Sequence, residues 1–172
     1  AKLVGTLYLA LVVFIILVLV PVAILAKIPI RKFWASVKSP WLIAFTTASS
    51  EAAFPQAMTA MEKFGVPRRI VAFVLPTGYS FNLDGSTLYL AIASVFAAQA
   101  AGIDMPLGTQ LAMMLTLMLT SKGVAAVPRA SLVILSGALT QFGLPIEAIA
   151  VILGVDAIMD MARTSVNLLG NC

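Results

Sequence analysis

A long apolar run at the start of the chain limits the folds that are open to it. Residues 3–26 are apolar apart from Thr6 and Tyr8, and this run exceeds the roughly 20 residues that a helix needs to cross a bilayer. Hydrophobic residues make up 61% of the chain and charged residues 10%, whereas soluble domains contain about 45–50% apolar and 25% charged residues. Because lipid offers no hydrogen-bond partners to the backbone, the sequence predicts an all-α membrane protein.

A signal peptide is the alternative explanation of the opening run. The length of the run and the residues at its end argue against a signal peptide. The run is longer than the usual stretch of about 7–15 apolar residues, Pro21 interrupts its end, and no small-residue cleavage site introduces a polar mature domain. The chain begins without methionine and ends at Cys172 within a polar helix, so we expect it to be part of a longer protein. One cysteine and no histidine exclude an internal disulfide, His-based metal sites and Ser-His or Cys-His catalysis.

The basic residues give the expected topology. They flank the segment 39–62, with Lys27, Arg31, Lys32 and Lys38 before it and Lys63, Arg68 and Arg69 after it. The positive-inside rule puts both groups in the cytoplasm. The segment between them is too short for two crossings of roughly 20 residues each. Residues 32–64 are therefore predicted to form a re-entrant hairpin with its tip at 46–51.

Apolar arms and polar breaks then recur along the chain. Residues 68–101 are typical of a spanning helix that is unwound at 78–86, where Asn, Asp and Gly disfavour the helix interior. The loop 102–108 contains no Lys or Arg and should be external. Residues 107–142 are predicted to form a second re-entrant hairpin with a break at 121–128, followed by a last span from 146. Such an inverted repeat is typical of secondary transporters, which bind substrate where the repeats meet.

The last segment carries a stripe of polar side chains. Its members are Asp156, Asp160, Arg163, Thr164, Asn167 and Asn171. At about 100° per residue they fall within an arc of roughly 100° on one helical face. A charge in hydrocarbon costs about 2.5–3.5 kcal/mol on insertion scales, so the stripe is predicted to face a ligand, a cavity or a partner. Interhelical hydrogen bonds and an internal Arg163–Asp160 salt bridge are the structural alternatives.

Four polar segments together resemble the dicarboxylate/amino acid:cation symporter family, which includes the bacterial and archaeal glutamate and aspartate transporters. The segments are Ala48-Ser49-Ser50-Glu51 with Pro55, Asn82-Leu83-Asp84-Gly85-Ser86, Ser121-Lys122-Gly123 through Val127-Pro128, and Asp156-x-x-x-Asp160-x-x-Arg163-Thr164-x-x-Asn167. The resemblance covers nearly the whole chain, in order. It implies a partial transport domain made of a spanning helix (1–27), hairpin 1 (32–64), a broken span (68–101), hairpin 2 (107–142) and the start of a polar-faced span (146–172). It also implies a homotrimer whose transport cores move like elevators against a scaffold of earlier helices.

The same resemblance assigns the substrate contacts. Arg163 matches the arginine that grips a side-chain carboxylate, a task that suits a planar bidentate donor, and Asp160 matches the acid that accepts an α-ammonium. The other matching contacts are Ser49, Ser50, Ser86, Val127, Thr164 and Asn167. Family members that carry C4-dicarboxylates tend to lack the acid, so the pair favours glutamate or aspartate. Asp156 is expected to orient its neighbours, and Arg129 could replace a second arginine that some members have.

Cation contacts follow from the resemblance in the same way. Asp84 with Asn82 resembles one sodium site, and the carbonyls of Gly78, Asn82 and Asn167 resemble part of another. Backbone oxygens of Ser80, Ser121, Lys122 and Val124 resemble a third. Asn171 stands where many sodium-coupled members have an aspartate, and Leu83 stands where they have a methionine.

Because Asn171 and Leu83 differ from the residues of many sodium-coupled members, proton coupling remains an alternative to sodium coupling. Glu51, at the predicted tip of hairpin 1, is the candidate proton carrier, with a merely hydrogen-bonded tip residue as the alternative. For the Lys122 side chain the alternative to a ligand is an exposed or snorkelling tip residue. Tyr79, Phe81 and Tyr89 are predicted to be packing residues.

The predicted function is secondary active symport of an acidic amino acid with sodium ions or protons in the bacterial inner membrane, without an enzymatic activity, an organic cofactor or a nucleic-acid partner. C4-dicarboxylate:cation symport is the alternative within the family. An ion channel would need a continuous polar pore. An intramembrane aspartyl protease would need Asp84 and Asp160 to face each other as a dyad.

Overall fold

The computed structural model describes residues 1–124 and 130–172, and the regular structure in these ranges is entirely helical. The α-helices are α1 (Lys2–Phe14), α2 (Val20–Leu25), α3 (Ile30–Thr47), α4 (Ser50–Phe64), α5 (Arg68–Phe81), α6 (Asp84–Ala100), α7 (Leu107–Thr120), α8 (Ala130–Gln141), α9 (Ala148–Leu153) and α10 (Asp156–Asn171). A π-helical segment, Ile15–Leu19, joins α1 to α2, and a 3-10 turn, Ser121–Val124, follows α7. The all-α prediction is confirmed for the described part of the chain.

Two helical stretches are long and apolar enough to cross a membrane by length and composition. They are Lys2–Leu25 and Arg68–Ala100, and the shorter apolar helices are Leu107–Thr120 and Ser131–Gln141. The first stretch bends from α to π geometry just before Pro21. Proline lacks a backbone N–H, so the turn before it loses a regular hydrogen bond and can adopt the wider π geometry.

Helices α6 and α10 run antiparallel and form the centre of the described structure. Tyr89 on α6 meets Asp156 at the start of α10, and Asp84 at the start of α6 faces Gly170 near the end of α10. Helix α1 packs on both, with Leu3, Leu7 and Leu11 buried in the same apolar core. Because Tyr8 bonds to Ile158 and Leu19 approaches Gly170, α1 and α10 run in the same direction.

Helices α3 and α4 pack against each other along their length and are joined by a tight turn. Ala48 in this turn is left-handed, with φ 49°. The Ser49 side chain caps α4 by accepting a hydrogen bond from Ala52 N–H at 3.2 Å. At the other end of the pair, the rings of Phe33 and Phe64 meet edge to face with centroids 5.9 Å apart. The basic residues next to these rings, Arg31, Lys32 and Lys63, therefore lie at one end of the helix pair.

Small residues let this helix pair approach α10 closely. Ala44 and Ala53, each four residues from the turn, pack with Ala57 against Leu168. Farther from the turn, Val37 and Met61 pack in a cluster with Leu169. The helix pair therefore packs against the last turns of α10.

The break between α5 and α6 is shorter than the sequence predicts, and the last segment has a break that the sequence does not predict. Helix α5 continues through Phe81, so only Asn82 and Leu83 separate it from α6. The reason is that Asn82 N–H completes the helix by bonding to Gly78 O at 2.7 Å. The last segment is divided at Gly154 and Val155 into α9 and α10. Residues 125–129 of the predicted second tip lie outside the described residues.

Candidate functional site

A buried guanidinium is the centre of the polar stripe on α10. Arg163, only 2% exposed, donates from Nε to Asp160 Oδ1 at 2.8 Å. Its Nη1 lies 3.8 Å from Asp156 Oδ1, and its guanidinium carbon lies 4.1 Å from the centroid of the Tyr89 ring. Two carboxylates and an aromatic face thus compensate one buried cation. Without such neighbours, a charge buried to this extent would strongly destabilise the fold.

The same cluster has unused hydrogen-bonding capacity. Arg163 Nη1 and Asp156 Oδ2 are buried and lack a hydrogen-bond partner within the described residues. The other oxygen of Asp156 accepts a 2.9 Å hydrogen bond from the Tyr89 hydroxyl, so Asp156 is held by Tyr89 beside Arg163. A guanidinium with a free terminal nitrogen can donate to a second carboxylate, because its five N–H groups form a planar fork.

Asn167 links α10 to the start of α6. Its Oδ1 accepts from Gly85 N–H at 2.8 Å and from Ser86 N–H at 3.3 Å, and its Nδ2 donates to Ser86 Oγ at 2.9 Å. Helix α6 has no side-chain cap of its own, so Asn167 caps it from another helix. One turn earlier on α10, Thr164 Oγ1 donates to Asp160 Oδ1 at 3.0 Å. The structure therefore brings Ser86 and the α10 residues of the predicted substrate set into one cluster.

The interruption between α5 and α6 gathers oxygen atoms next to α10. A Cβ built on Gly170 would lie 2.9 Å from Asp84 Oδ2, so this carboxylate lies directly against α10. A Cβ on Gly78 would meet Asn171 Oδ1, and that amide oxygen is buried without a hydrogen-bond partner in the described structure. A carboxylate, an orphaned amide oxygen and helix-terminal carbonyls are the hard donors that an alkali cation takes. This donor set fits a sodium ion.

No cluster of three or more His, Cys, Asp or Glu residues that could hold a metal ion occurs in the described ranges 1–124 and 130–172. A cation at this site would therefore depend on backbone and amide oxygens more than on carboxylates. Ser80 and Asn82 are half-buried at the end of α5, where such carbonyls are available.

The 3-10 turn after α7 lies against the end of α5. Ser121 is buried and donates from its hydroxyl to Met118 O at 2.9 Å. The Lys122 ammonium donates to Phe81 O at 2.7 Å, so this side chain reaches the α5–α6 interruption. Val124 ends the same turn. Val127 and Arg129 lie outside the described residues, so the predicted contacts of this tip are described only for 121–124.

The turn between α3 and α4 carries the remaining predicted residues. Ser49 and Ser50 are half-buried, and Glu51 is exposed. Glu51 Oε1 accepts a hydrogen bond from the Tyr79 hydroxyl at 3.2 Å, which ties the turn to the last part of α5.

The sequence did not reveal that two residues of α6, Tyr89 and Gly85, contact Arg163. Tyr89 was expected to be a packing residue, but it bonds Asp156 and stacks on Arg163. Gly85 was assigned only to the break, but a Cβ there would lie 2.9 Å from the Arg163 Cα and would collide with the Arg163 carbonyl oxygen. A glycine within an apolar membrane sequence is the signal that could have revealed this close approach.

The geometry also decides against a carboxylate dyad. Asp84 lies beside Gly170, whereas Asp160 is ten residues earlier on α10, which corresponds to about 15 Å of helix. Asp160 bonds instead to Arg163 and Thr164. The arrangement required by the protease alternative is absent from the described structure.

The whole chain, residues 1–172, matches the model of the sodium:dicarboxylate symporter family. The chain belongs to this family. It is 52% identical to a proton/sodium-glutamate symport protein of Geobacillus stearothermophilus and 47% identical to a proton/glutamate-aspartate symporter of Escherichia coli (strain K12), each over 171 residues. It is 42% identical to a C4-dicarboxylate transport protein of Paraburkholderia phymatum over 171 residues.

The three alignments cover 99% of this chain but 41%, 39% and 40% of the respective relatives. The chain thus spans about two fifths of the length of these proteins. Membership of the sodium:dicarboxylate symporter family confirms the predicted resemblance, and it identifies an integral membrane protein from a family of transporters rather than of enzymes. The family also implies coupling ions and a small-molecule substrate.

Proposed function

We propose that the protein containing this chain is a secondary active symporter that takes up glutamate or aspartate together with sodium ions or protons. The observation that carries the proposal is the pair of buried Arg163 and half-buried Asp160, whose charged atoms are 2.8 Å apart on one turn of α10. The similar proteins named as glutamate and glutamate-aspartate symporters support it.

The charges of this pair favour an amino acid as the substrate. Arg163 and Asp160 neutralise each other when no substrate is bound. An acidic amino acid offers a carboxylate to Arg163 and an ammonium to Asp160, so both charges stay compensated when it binds. A C4-dicarboxylate supplies only anions, so it would place a second negative charge beside Asp160 with Arg163 as the shared cation, at a cost on the order of several kcal/mol. The free Nη1 of Arg163 provides the donor for the incoming carboxylate.

The remaining residues form the walls of this site. Thr164 and Asn167 lie on the same face of α10 as the pair, and Ser86 is bonded to Asn167. The turn with Ser49 and Ser50 would close one side, and the tip containing Val127 would close the other. In this arrangement the substrate is held between two hairpin tips near the membrane midplane.

Cation binding and substrate binding would stabilise the same arrangement. Asn82 lies in the interruption and Asp84 begins α6. Ser86 follows within the same turn of α6 and bonds Asn167. A cation that orders this turn therefore orders the substrate site, and by linkage each ligand raises the affinity for the other. Sodium is one candidate. Protons are the other, with Glu51 as their carrier at the turn between α3 and α4.

We further propose the architecture that the sequence predicts. Residues 32–64 and 107–142 act as re-entrant hairpins of an inverted repeat, and the transport core moves as an elevator within a homotrimer in the bacterial inner membrane. C4-dicarboxylate symport is the second candidate function, supported by similar proteins with that name.

Transport by the full-length protein in proteoliposomes tests the proposal. Radiolabelled glutamate and aspartate uptake is measured with sodium and proton gradients imposed separately, and succinate is added as a competitor. We expect uptake of at least one amino acid under one of the gradients, with little inhibition by succinate. Succinate uptake without amino-acid uptake would instead support dicarboxylate symport, and current without coupled uptake would support a channel.

Arg163→Cys is the decisive variant for this assignment. Loss of the guanidinium should abolish acidic amino-acid uptake, because the substrate side-chain carboxylate loses its partner, and it should allow a neutral amino acid to bind. Uptake of serine or cysteine is measured in parallel as the positive readout for a folded variant. Glutamate transport at the unsubstituted rate would refute the role of Arg163.

A further inference from the structure

The Lys122 ammonium lies at the carbonyl end of α5, next to the interruption between α5 and α6. It donates to Phe81 O at 2.7 Å, and Phe81 is the last residue of α5. The last carbonyls of a helix have no partner within the helix and carry the negative end of its dipole. The lysine therefore binds one of the helix-terminal carbonyls that would attract a cation to this interruption.

Asp84 places a negative charge at the same interruption. It is the first residue of α6, three residues after Phe81, whose carbonyl accepts the hydrogen bond from Lys122. The carboxylate and the ammonium have opposite unit charges, so together they leave the interruption neutral. A sodium ion added at the same carbonyl would face the ammonium at close range, and two like charges at that distance repel each other.

We propose that Lys122 is a built-in cation that takes the place of one coupling ion between the 121–124 turn and the α5–α6 interruption. This inference rests on the proposed function, since it concerns the ion requirement of that site. The inference goes beyond the proposed function because it assigns the ion specificity of this position to one side chain. A compact ammonium with three donors can satisfy carbonyl oxygens much as a bound alkali ion does. The chain should therefore bind one sodium ion fewer than a variant without the lysine.

Equilibrium binding of radioactive sodium to the purified full-length protein tests this directly. Lys122→Met removes the charge and keeps an unbranched side chain, and we expect it to bind about one additional sodium ion per chain. Lys122→Arg keeps the charge and should bind the same number as the unsubstituted protein. Lys63→Met is the matched control, because Lys63 is an exposed lysine at the end of α4.

Substrate binding gives a second readout. By linkage, the slope of log Kd for glutamate against log sodium concentration should steepen by about one in Lys122→Met. Choline replaces sodium in these titrations so that ionic strength stays constant. An unchanged sodium count and an unchanged slope would overturn the role of Lys122. If no variant bound glutamate or aspartate, the proposed function would fail, while the sodium count would still decide the role of the lysine.

Chemical rescue separates the loss of charge from a folding defect. In a full-length background from which Cys172 and any other cysteine have been removed, Lys122→Cys should bind the additional sodium ion, like Lys122→Met. Reaction with aminoethyl methanethiosulfonate restores an ammonium near its original place and should remove the additional ion. Reaction with methyl methanethiosulfonate leaves the position neutral and should not remove it. Equal effects of the two reagents would contradict the proposal.

Discussion

Arg163 is a permanently charged side chain in a nearly inaccessible position, and its neighbours decide what it can bind. Asp160 takes its Nε donor, and Tyr89 covers one face of the guanidinium. The free Nη1 can then meet a ligand only from the side that these groups leave open. Arg163 is thus held in one orientation before any ligand arrives, which lowers the entropy cost of binding.

Tyr89→Phe tests how much the hydroxyl contributes to this arrangement. The variant keeps the ring over the guanidinium but leaves Asp156 Oδ1 without its donor, and a hydrogen bond to a charged group is worth about 1.5–3 kcal/mol. We expect a lower melting temperature of the detergent-solubilised full-length protein and weaker glutamate binding. Tyr8→Phe is the control, because the Tyr8 hydroxyl bonds only to the neutral backbone carbonyl of Ile158. A larger effect in the control than in Tyr89→Phe would contradict this account.

At the scale of elements, the crossing of α6 and α10 sets the geometry of the site. Gly85 lets the first turn of α6 approach the backbone of Arg163, and Asn167 caps that turn from α10. Cation ligands at the interruption and substrate ligands on α10 are thereby fixed relative to each other. A coupling mechanism requires such a rigid connection, because each ligand can influence the other only through a shared arrangement.

Gly85→Ala should therefore be among the most damaging single-methyl additions in this region. The new Cβ would overlap the Arg163 backbone, and overpacking typically costs about 1–3 kcal/mol where neighbours can move, with backbone neighbours moving less readily than side chains. We expect a strongly lowered melting temperature or loss of folded protein in size-exclusion chromatography. Gly137→Ala on α8 is the matched control, since a Cβ there would meet nothing within 4 Å. Equal stability of the two variants would show that α6 and α10 are not in this close contact.

At the scale of the whole molecule, charge and packing indicate the same orientation. The basic residues in the first turn of α3 and the last turn of α4, Arg31, Lys32 and Lys63, lie at one end of that helix pair, where Lys32 Nζ lies 5.6 Å from the centre of the Phe64 ring. The loop between α6 and α7 has no Lys or Arg. The positive-inside rule then predicts the first end on the cytoplasmic side and the loop on the external side.

Cysteine labelling of intact cells tests this orientation. In a Cys172→Ser background, Asp104→Cys should react with a membrane-impermeant maleimide added outside. Lys63→Cys should react only after the membrane is permeabilised. Both positions are exposed, so the difference in rate reports the side of the membrane rather than burial. The reverse pattern would invert the topology of the whole chain.

The sequence by itself determined the helical class, the family and the residue types of the site. Long apolar runs permit only helices in lipid if the backbone is to be satisfied, and the spacing of Asp160, Arg163 and Thr164 already placed them on one face of a helix. These are local properties, because they depend on periodicity and on chemistry within a few residues. The same local reasoning expected an unwound stretch at 78–86, but a hydrogen bond to Gly78 keeps α5 helical through Phe81.

Only the tertiary structure decided which distant residues meet. Nothing local to Tyr89 indicates that it bonds Asp156, 67 residues away, and nothing local to Gly85 indicates that its missing Cβ makes room for Arg163. The contact of Lys122 with Phe81, 41 residues earlier, is of the same kind. Such contacts arise from helix packing, which brings together residues far apart in the chain, so periodicity and propensity within one segment carry no record of them.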